Sequence, residues 1–120
     1  MACYDEKKAR VAEFKRRIIP LLEALDTEDS RQEALEERMG LGLYLANKHL
    51  AKRTKAMAEE AVGQFDVVSQ RCYGRIYKNG DAKPCHFSMR AFARCQMAQI
   101  RNRQKKYAEA RRFAEEALEL

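Results

Sequence analysis

Apolar residues return every three or four positions along nearly all of this chain, and that spacing is the period of an α-helix. Val11, Phe14, Ile18, Leu22 and Leu25 make a first stripe. Leu35, Met39, Leu43, Ala46 and Leu50 make a second, and Met57, Ala61, Phe65, Val68 and Cys72 a third. Met89, Ala93, Met97, Ile100, Tyr107, Ala114 and Leu118 make the last. Two prolines and five glycines in 120 residues leave few places where a helix must stop. The pattern predicts an all-α fold: an antiparallel helical bundle or hairpin of three to five helices, with these stripes as its core. The length suits one domain, residues 1–120.

Breaks in the pattern set the expected element ends. Pro20 falls inside the first stripe and should kink or split that helix, because proline removes a backbone donor and crowds the previous turn. The stretch "DTEDS", 26–30, ends the first helix. Asp29 or Ser30 is the expected N-cap of the next, and Ser30 followed by Glu33 has capping-box spacing. Residues 31–78 read either as one long helix or as two with a bend near Asn47–His49. The last helix is expected after Pro84, with Ser88 as a cap, and runs to the end. Between them stands "YKNGDAKPCHF", 77–87. Its Asn79-Gly80 and Pro84 predict a Gly/Pro turn near 79–84, either a connector between antiparallel helices or the tip of a small hairpin.

No apolar run approaches the roughly 18 residues that cross a bilayer. The N-terminal "MACYDEKKAR" is charged by its fifth residue and lacks a secretory core. A cytoplasmic protein with no membrane association is the expectation, and Cys3, Cys72, Cys85 and Cys95 are then reduced thiols. Cys72, Cys85, His86 and Cys95 are zinc-ligand types, but their wide spacing fits no compact zinc motif, so no metal is expected. Cys85 with His49 or His86 is a conceivable catalytic pair. Nothing near it supplies an oxyanion hole, and Gly40-Leu41-Gly42 is no phosphate loop. No catalytic residue, no cofactor and no enzyme are expected.

Charge is the feature that points to function. Residues 1–66 hold 12 Lys/Arg and 13 Asp/Glu, residues 67–106 hold ten and one, and residues 107–120 hold two and four. The net charges −1, +9 and −2 give the total of +6. Within the basic block Arg90, Arg94 and Arg101 recur on one helical face. Arg103, Lys105 and Lys106 extend it, and Arg71, Arg75 and Lys78 precede it at similar spacing. Tyr73, Tyr77, Phe87 and Phe92 are interleaved. Guanidinium groups grip phosphate and aromatic rings stack on bases, so nucleic acid is the first candidate partner. The competing reading is internal charge balance against the acidic faces at 5–37 and 109–119. If these arginines serve a ligand, neutralising three of them leaves stability unchanged; if they are paired inside the fold, it does not.

The tail "ARCQMAQIRNRQKKYAEARRFAEEALEL", 93–120, resembles one tetratricopeptide repeat. Met97 and Ala98 match the first helix of that family's helical hairpin. Tyr107, Ala110, Phe113, Ala117 and Leu118 match the second. The chain departs where the family has a glycine at the turn, Lys105 here, and an aromatic early in the first helix, Arg94-Cys95 here. Shifting back by one period gives no second unit. The resemblance implies a protein-interaction module or small inhibitor or adaptor; a groove-type protein contact would depend on apolar anchors such as Phe92 and Tyr107. The partner is then an acidic protein surface rather than nucleic acid, and a homo-oligomer is possible.

Overall fold

A computed structural model describes residues 2–47, 54–71 and 84–119, without the side chains of residues 2–6, 8 and 84–88. The protein is all-α. Among the described residues there are five helices and no strand: α1 (Ala2–Leu25), α2 (Glu28–Leu45), α3 (Lys55–Arg71), α4 (Pro84–Arg103) and α5 (Tyr107–Glu119). The chain divides into two compact units, Met1–Gln64 and Phe65–Leu120.

In the first unit α1 and α2 form an antiparallel hairpin across a two-residue turn. Asp26 takes the left-handed conformation at φ 52° that ends α1. Thr27 then caps α2. Its side chain accepts from the Ser30 amide at 3.0 Å, and the Ser30 hydroxyl accepts from the Thr27 amide at 3.0 Å. This is a capping box one turn earlier than the sequence suggested, with Ser30 as its third helical residue rather than its cap. α1 is continuous through Pro20, so the expected split does not occur.

The buried apolar side chains of this unit are Ala12, Ile19 and Leu22 from α1; Ala34, Leu35, Met39, Leu41, Leu45 and Ala46 from the α2 segment; and Ala58, Ala61 and Val62 from α3. The α1 set corrects the expected stripe. Val11, Phe14 and Leu25 are exposed, and only Leu22 of the clearly predicted face is buried. The apolar arc of α1 is wide, about half the helix at 100° per residue. Charge selects which half turns inward. Lys15 Nζ donates to Glu37 Oε2 at 2.6 Å, and Arg38 Nη2 donates to Glu23 Oε1 at 2.6 Å. Arg16 grips Glu60 of α3 through two hydrogen bonds of 2.8 Å. Those bonds raise the Arg16 pKa above the ordinary arginine value, against the opposing effect of burial. Lys15, Arg16 and Glu23 border Ala12, Ile19 and Leu22, so pairing them rotates that side toward α2 and α3.

The stretch 31–78 is not one helix, since α2 ends at Leu45 and α3 starts at Lys55. Thr54 opens α3, its hydroxyl accepting from the Met57 amide at 3.1 Å. The predicted turn at 79–84 lies outside the described residues except for Pro84, which is the first residue of α4. Proline suits that position because its missing N–H has no helical partner there. Ser88 is therefore inside α4 and is not its cap.

The second unit holds the end of α3 with α4 and α5. Its buried apolar side chains are Phe65 and Val68 from α3; Ala93, Met97 and Ile100 from α4; and Ala110, Phe113 and Ala117 from α5. The expected single last helix breaks at Gln104–Lys106. The Lys106 amide bonds the Arg101 carbonyl at 2.9 Å, and the Lys105 amide bonds the Asn102 carbonyl at 3.0 Å. Lys105 itself is left-handed at φ 62°. That combination is a Schellman stop. The break resets the helical register, which is why Tyr107, Ala114 and Leu118 of the predicted stripe are exposed while Ala110, Phe113 and Ala117 are buried.

Candidate interaction surface

The predicted basic face starts from real helical geometry. Arg90, Arg94 and Arg101 do share one side of α4, but Met97 lies on that same side and is buried. Their spacing therefore sets them along the edge of the inward seam. Arg90 is half-buried and its Nε donates to the Ser69 carbonyl at 2.7 Å. Arg94 Nη1 stands 3.2 Å from both Asp66 Oδ1 and Glu116 Oε2. Its guanidinium carbon also lies 5.6 Å from the centre of the Phe113 ring, within cation–π range. Arg101 is buried; its Nε sits 3.0 Å from Glu109 Oε2, and its Nη1 donates to Gln104 Oε1 at 2.8 Å.

Three of the expected nucleic-acid contacts are therefore bonded within the chain. Neutralising Arg90, Arg94 and Arg101 removes contacts within the fold, which is the second of the two cases set out for these arginines. Arg71, Arg103, Lys105 and Lys106 are exposed, the last three clustered at the α4–α5 turn. Arg75 and Lys78 lie outside the described residues.

One sequence signal announced this pairing. In an antiparallel hairpin, residues equally far from the turn face one another. With the turn at Lys105, Arg101 meets Glu109 and Arg94 meets Glu116. The helical period alone does not place that turn; the repeat resemblance does, at Lys105.

The apolar candidates stand apart from this network. Phe92 is 43% exposed and Tyr107 62% exposed. Of the residues that carry the repeat resemblance, Met97, Ala110, Phe113 and Ala117 are buried, whereas Tyr107 and Leu118 face outward. Large apolar side chains are also exposed on α1, at Val11, Phe14, Leu21 and Leu25.

The cysteine candidates are mostly outside view. Cys72 and His49 are not among the described residues, and the side chains of Cys85 and His86 are not described. Cys95 is exposed and free. Among the described residues no group of three His, Cys, Asp or Glu side chains is placed to hold a metal ion, and no helix is long and apolar enough to cross a membrane.

What fold and surface define is an all-α protein in which several arginines, Arg94 and Arg101 among them, bind the chain's own carboxylates and several large apolar side chains are presented outward. Compared with family models, with curated proteins and with solved structures, the chain matches none.

Proposed function

We propose that this chain is a non-enzymatic protein-interaction module. The observation that carries the reading is the engagement of Arg94 and Arg101. They form the centre of the basic block, yet their charge is met by Asp66, Glu116 and Glu109 of the same chain. A phosphate would have to compete with those carboxylates for guanidinium groups that are largely shielded from water. The outward Phe92 and Tyr107 are suited to the apolar anchoring of a protein contact.

Polyanion binding is the second reading, favoured by one specific feature. Arg103, Lys105 and Lys106 are exposed together beside the exposed Tyr107. A small basic turn with an adjacent ring suits an unpaired nucleic-acid strand.

A pull-down with and without nuclease, followed by titration of labelled single-stranded and duplex nucleic acid at several salt concentrations, tests the two readings. Protein partners retained after nuclease, together with weak nucleic-acid binding even at low salt, support the protein module. Loss of all partners on nuclease treatment, with a steep salt dependence of the titration, overturns it in favour of the polyanion.

A further inference from the structure

α1 carries an unpartnered apolar seam. Val11, Phe14, Ile18, Leu21 and Leu25 follow one another at alternating steps of three and four residues, the spacing of a coiled-coil seam. At 100° per residue they fall within an arc of about 80°. Val11 is 47% exposed, Phe14 60%, and Leu21 and Leu25 each 67%. The buried Ala12, Ile19 and Leu22 occupy the next arc round the same helix. The exposed seam is thus the half of a wide apolar face that the α1–α2 hairpin leaves uncovered.

Charge along the border says what covers it. Lys7 stands at the start of the seam, one heptad step before Phe14. Arg10 and Arg17 follow its outer edge, seven residues apart, and both are exposed. Among the described residues neither arginine makes an ion pair or hydrogen bond. The cations beyond the seam's other edge, Lys15 and Arg16, are by contrast held by Glu37 and Glu60. Basic charge beside the exposed seam is therefore free, and basic charge beside the buried one is neutralised.

A second copy is a poor occupant. In antiparallel self-pairing Arg10 of one helix meets Arg17 of the other, and in parallel self-pairing Arg10 meets Lys15. Neither arrangement brings a carboxylate to Arg10 or Arg17, and the antiparallel one sets like charges face to face, which disfavours the pair. An apolar helix bordered by carboxylates meets the same edge with opposite charge.

We propose that the Val11–Leu25 seam of α1 docks an acidic amphipathic helix of a partner protein, with Phe14, Ile18, Leu21 and Leu25 as apolar anchors and Arg10 and Arg17 pairing its carboxylates. The inference deepens the protein-interaction reading by naming the partner's chemistry, and it rests on that reading.

The test uses the full chain and two labelled synthetic peptides of four heptads. Both have leucine at the two seam positions. One has glutamate at the flanking positions and the other has lysine. Fluorescence anisotropy should show the glutamate peptide binding at least tenfold more tightly than the lysine peptide. Phe14→Gln with Leu21→Gln should weaken the glutamate peptide by about tenfold or more, with the helical circular dichroism and melting temperature unchanged because both side chains are exposed. Arg10→Glu with Arg17→Glu should reverse the preference toward the lysine peptide.

Equal binding of both peptides, or binding indifferent to all four substitutions, overturns the proposal. So does dimerisation in analytical ultracentrifugation that Phe14→Gln and Leu21→Gln abolish, since the occupant is then a second copy. Seam-dependent binding to phosphatidylserine vesicles without peptide binding overturns it in favour of a lipid surface. Nuclease-resistant protein partners lost with Phe92→Ala and Tyr107→Ala, without peptide binding, sink this seam and leave the general reading standing. Loss of every partner on nuclease treatment sinks both.

Discussion

Arg94 Nη1 lies 3.2 Å from Glu116 Oε2 across the α4–α5 hairpin, and the same guanidinium reaches Asp66 of α3 at the same distance. One side chain thereby ties three helices of the second unit. Its exposure is only 16%, whereas the two carboxylates are 41% and 38% exposed. Arg94→Ala strips a shielded guanidinium and leaves Glu116 Oε2, an atom shielded from water, and the more exposed Asp66 carboxylate without their counter-ion, so the loss should be moderate. We expect destabilisation of about 1–3 kcal/mol, in the range of hydrogen bonds to charged groups. Urea unfolding of Arg94→Ala, Glu116→Ala and the double variant checks this. The two single losses should sum to more than the double loss, which is the signature of coupled residues.

This pairing also shows where the sequence stopped being legible. Helical period and the scarcity of breakers predict an all-α chain, and the five helices agree with that. The same period correctly aligns Arg90, Arg94 and Arg101. It does not say which side of that line faces inward, because a seam edge and an exposed face have the same repeat. Met97 lies on the arginine side and is the residue that decides it. On α1 the ambiguity runs the other way. Apolar residues cover about half the helix, and ion pairs from Lys15, Arg16 and Glu23 choose Ala12, Ile19 and Leu22 over Val11, Phe14 and Leu25. On α5 the turn at Lys105, which the repeat resemblance implied but the helical period does not show, shifts every later residue. In each case the missing information is a contact between distant segments.

The cap of α2 gives a second prediction. Thr27 shares three hydrogen bonds with Ser30, and its carbonyl also accepts the Arg31 amide at 2.9 Å. Thr27→Ala removes the side-chain acceptor and leaves the backbone bond. Stability should fall by about 1 kcal/mol, as for other N-cap deletions. Thr27→Ser keeps the hydroxyl and should fall within a few tenths of the original in the same thermal melt. Equal losses in both variants would show that the Thr27 methyl, rather than the cap, matters.

Two of the helical glycines, Gly40 and Gly63, should respond differently to alanine. A Cβ at Gly63 meets nothing within 4 Å, so Gly63→Ala should stabilise by about 0.5–1 kcal/mol through helix propensity alone. A Cβ at Gly40 comes within 3.1 Å of Lys15 Nζ. The lysine can swing aside, but that disturbs its 2.6 Å bond to Glu37. Gly40→Ala should therefore gain less than Gly63→Ala. Adding Lys15→Met to both backgrounds, read by denaturant midpoint, should narrow the difference.

Lys105 tests the turn on which the α4–α5 hairpin depends. It is left-handed at φ 62°, where a β-carbon crowds the following carbonyl. That costs a non-glycine residue roughly 1–2 kcal/mol, while glycine avoids it at the expense of a more disordered unfolded chain. Lys105 is exposed, and the bonds that close the Schellman stop are backbone bonds that glycine retains. Lys105→Gly should raise stability by about 0.5–1 kcal/mol. Asp26, also left-handed at φ 52°, is the contrasting site. Aspartate tolerates this region better than lysine. Its carboxylate also accepts from Arg31 Nη1 at 2.7 Å, a bond that glycine loses. Asp26→Gly should therefore gain less, or nothing. A pair of thermal melts decides it: the melting temperature of Lys105→Gly should rise by a few degrees and exceed that of Asp26→Gly. A fall for Lys105→Gly would mean that the lysine side chain holds the turn through contacts that outweigh its backbone strain.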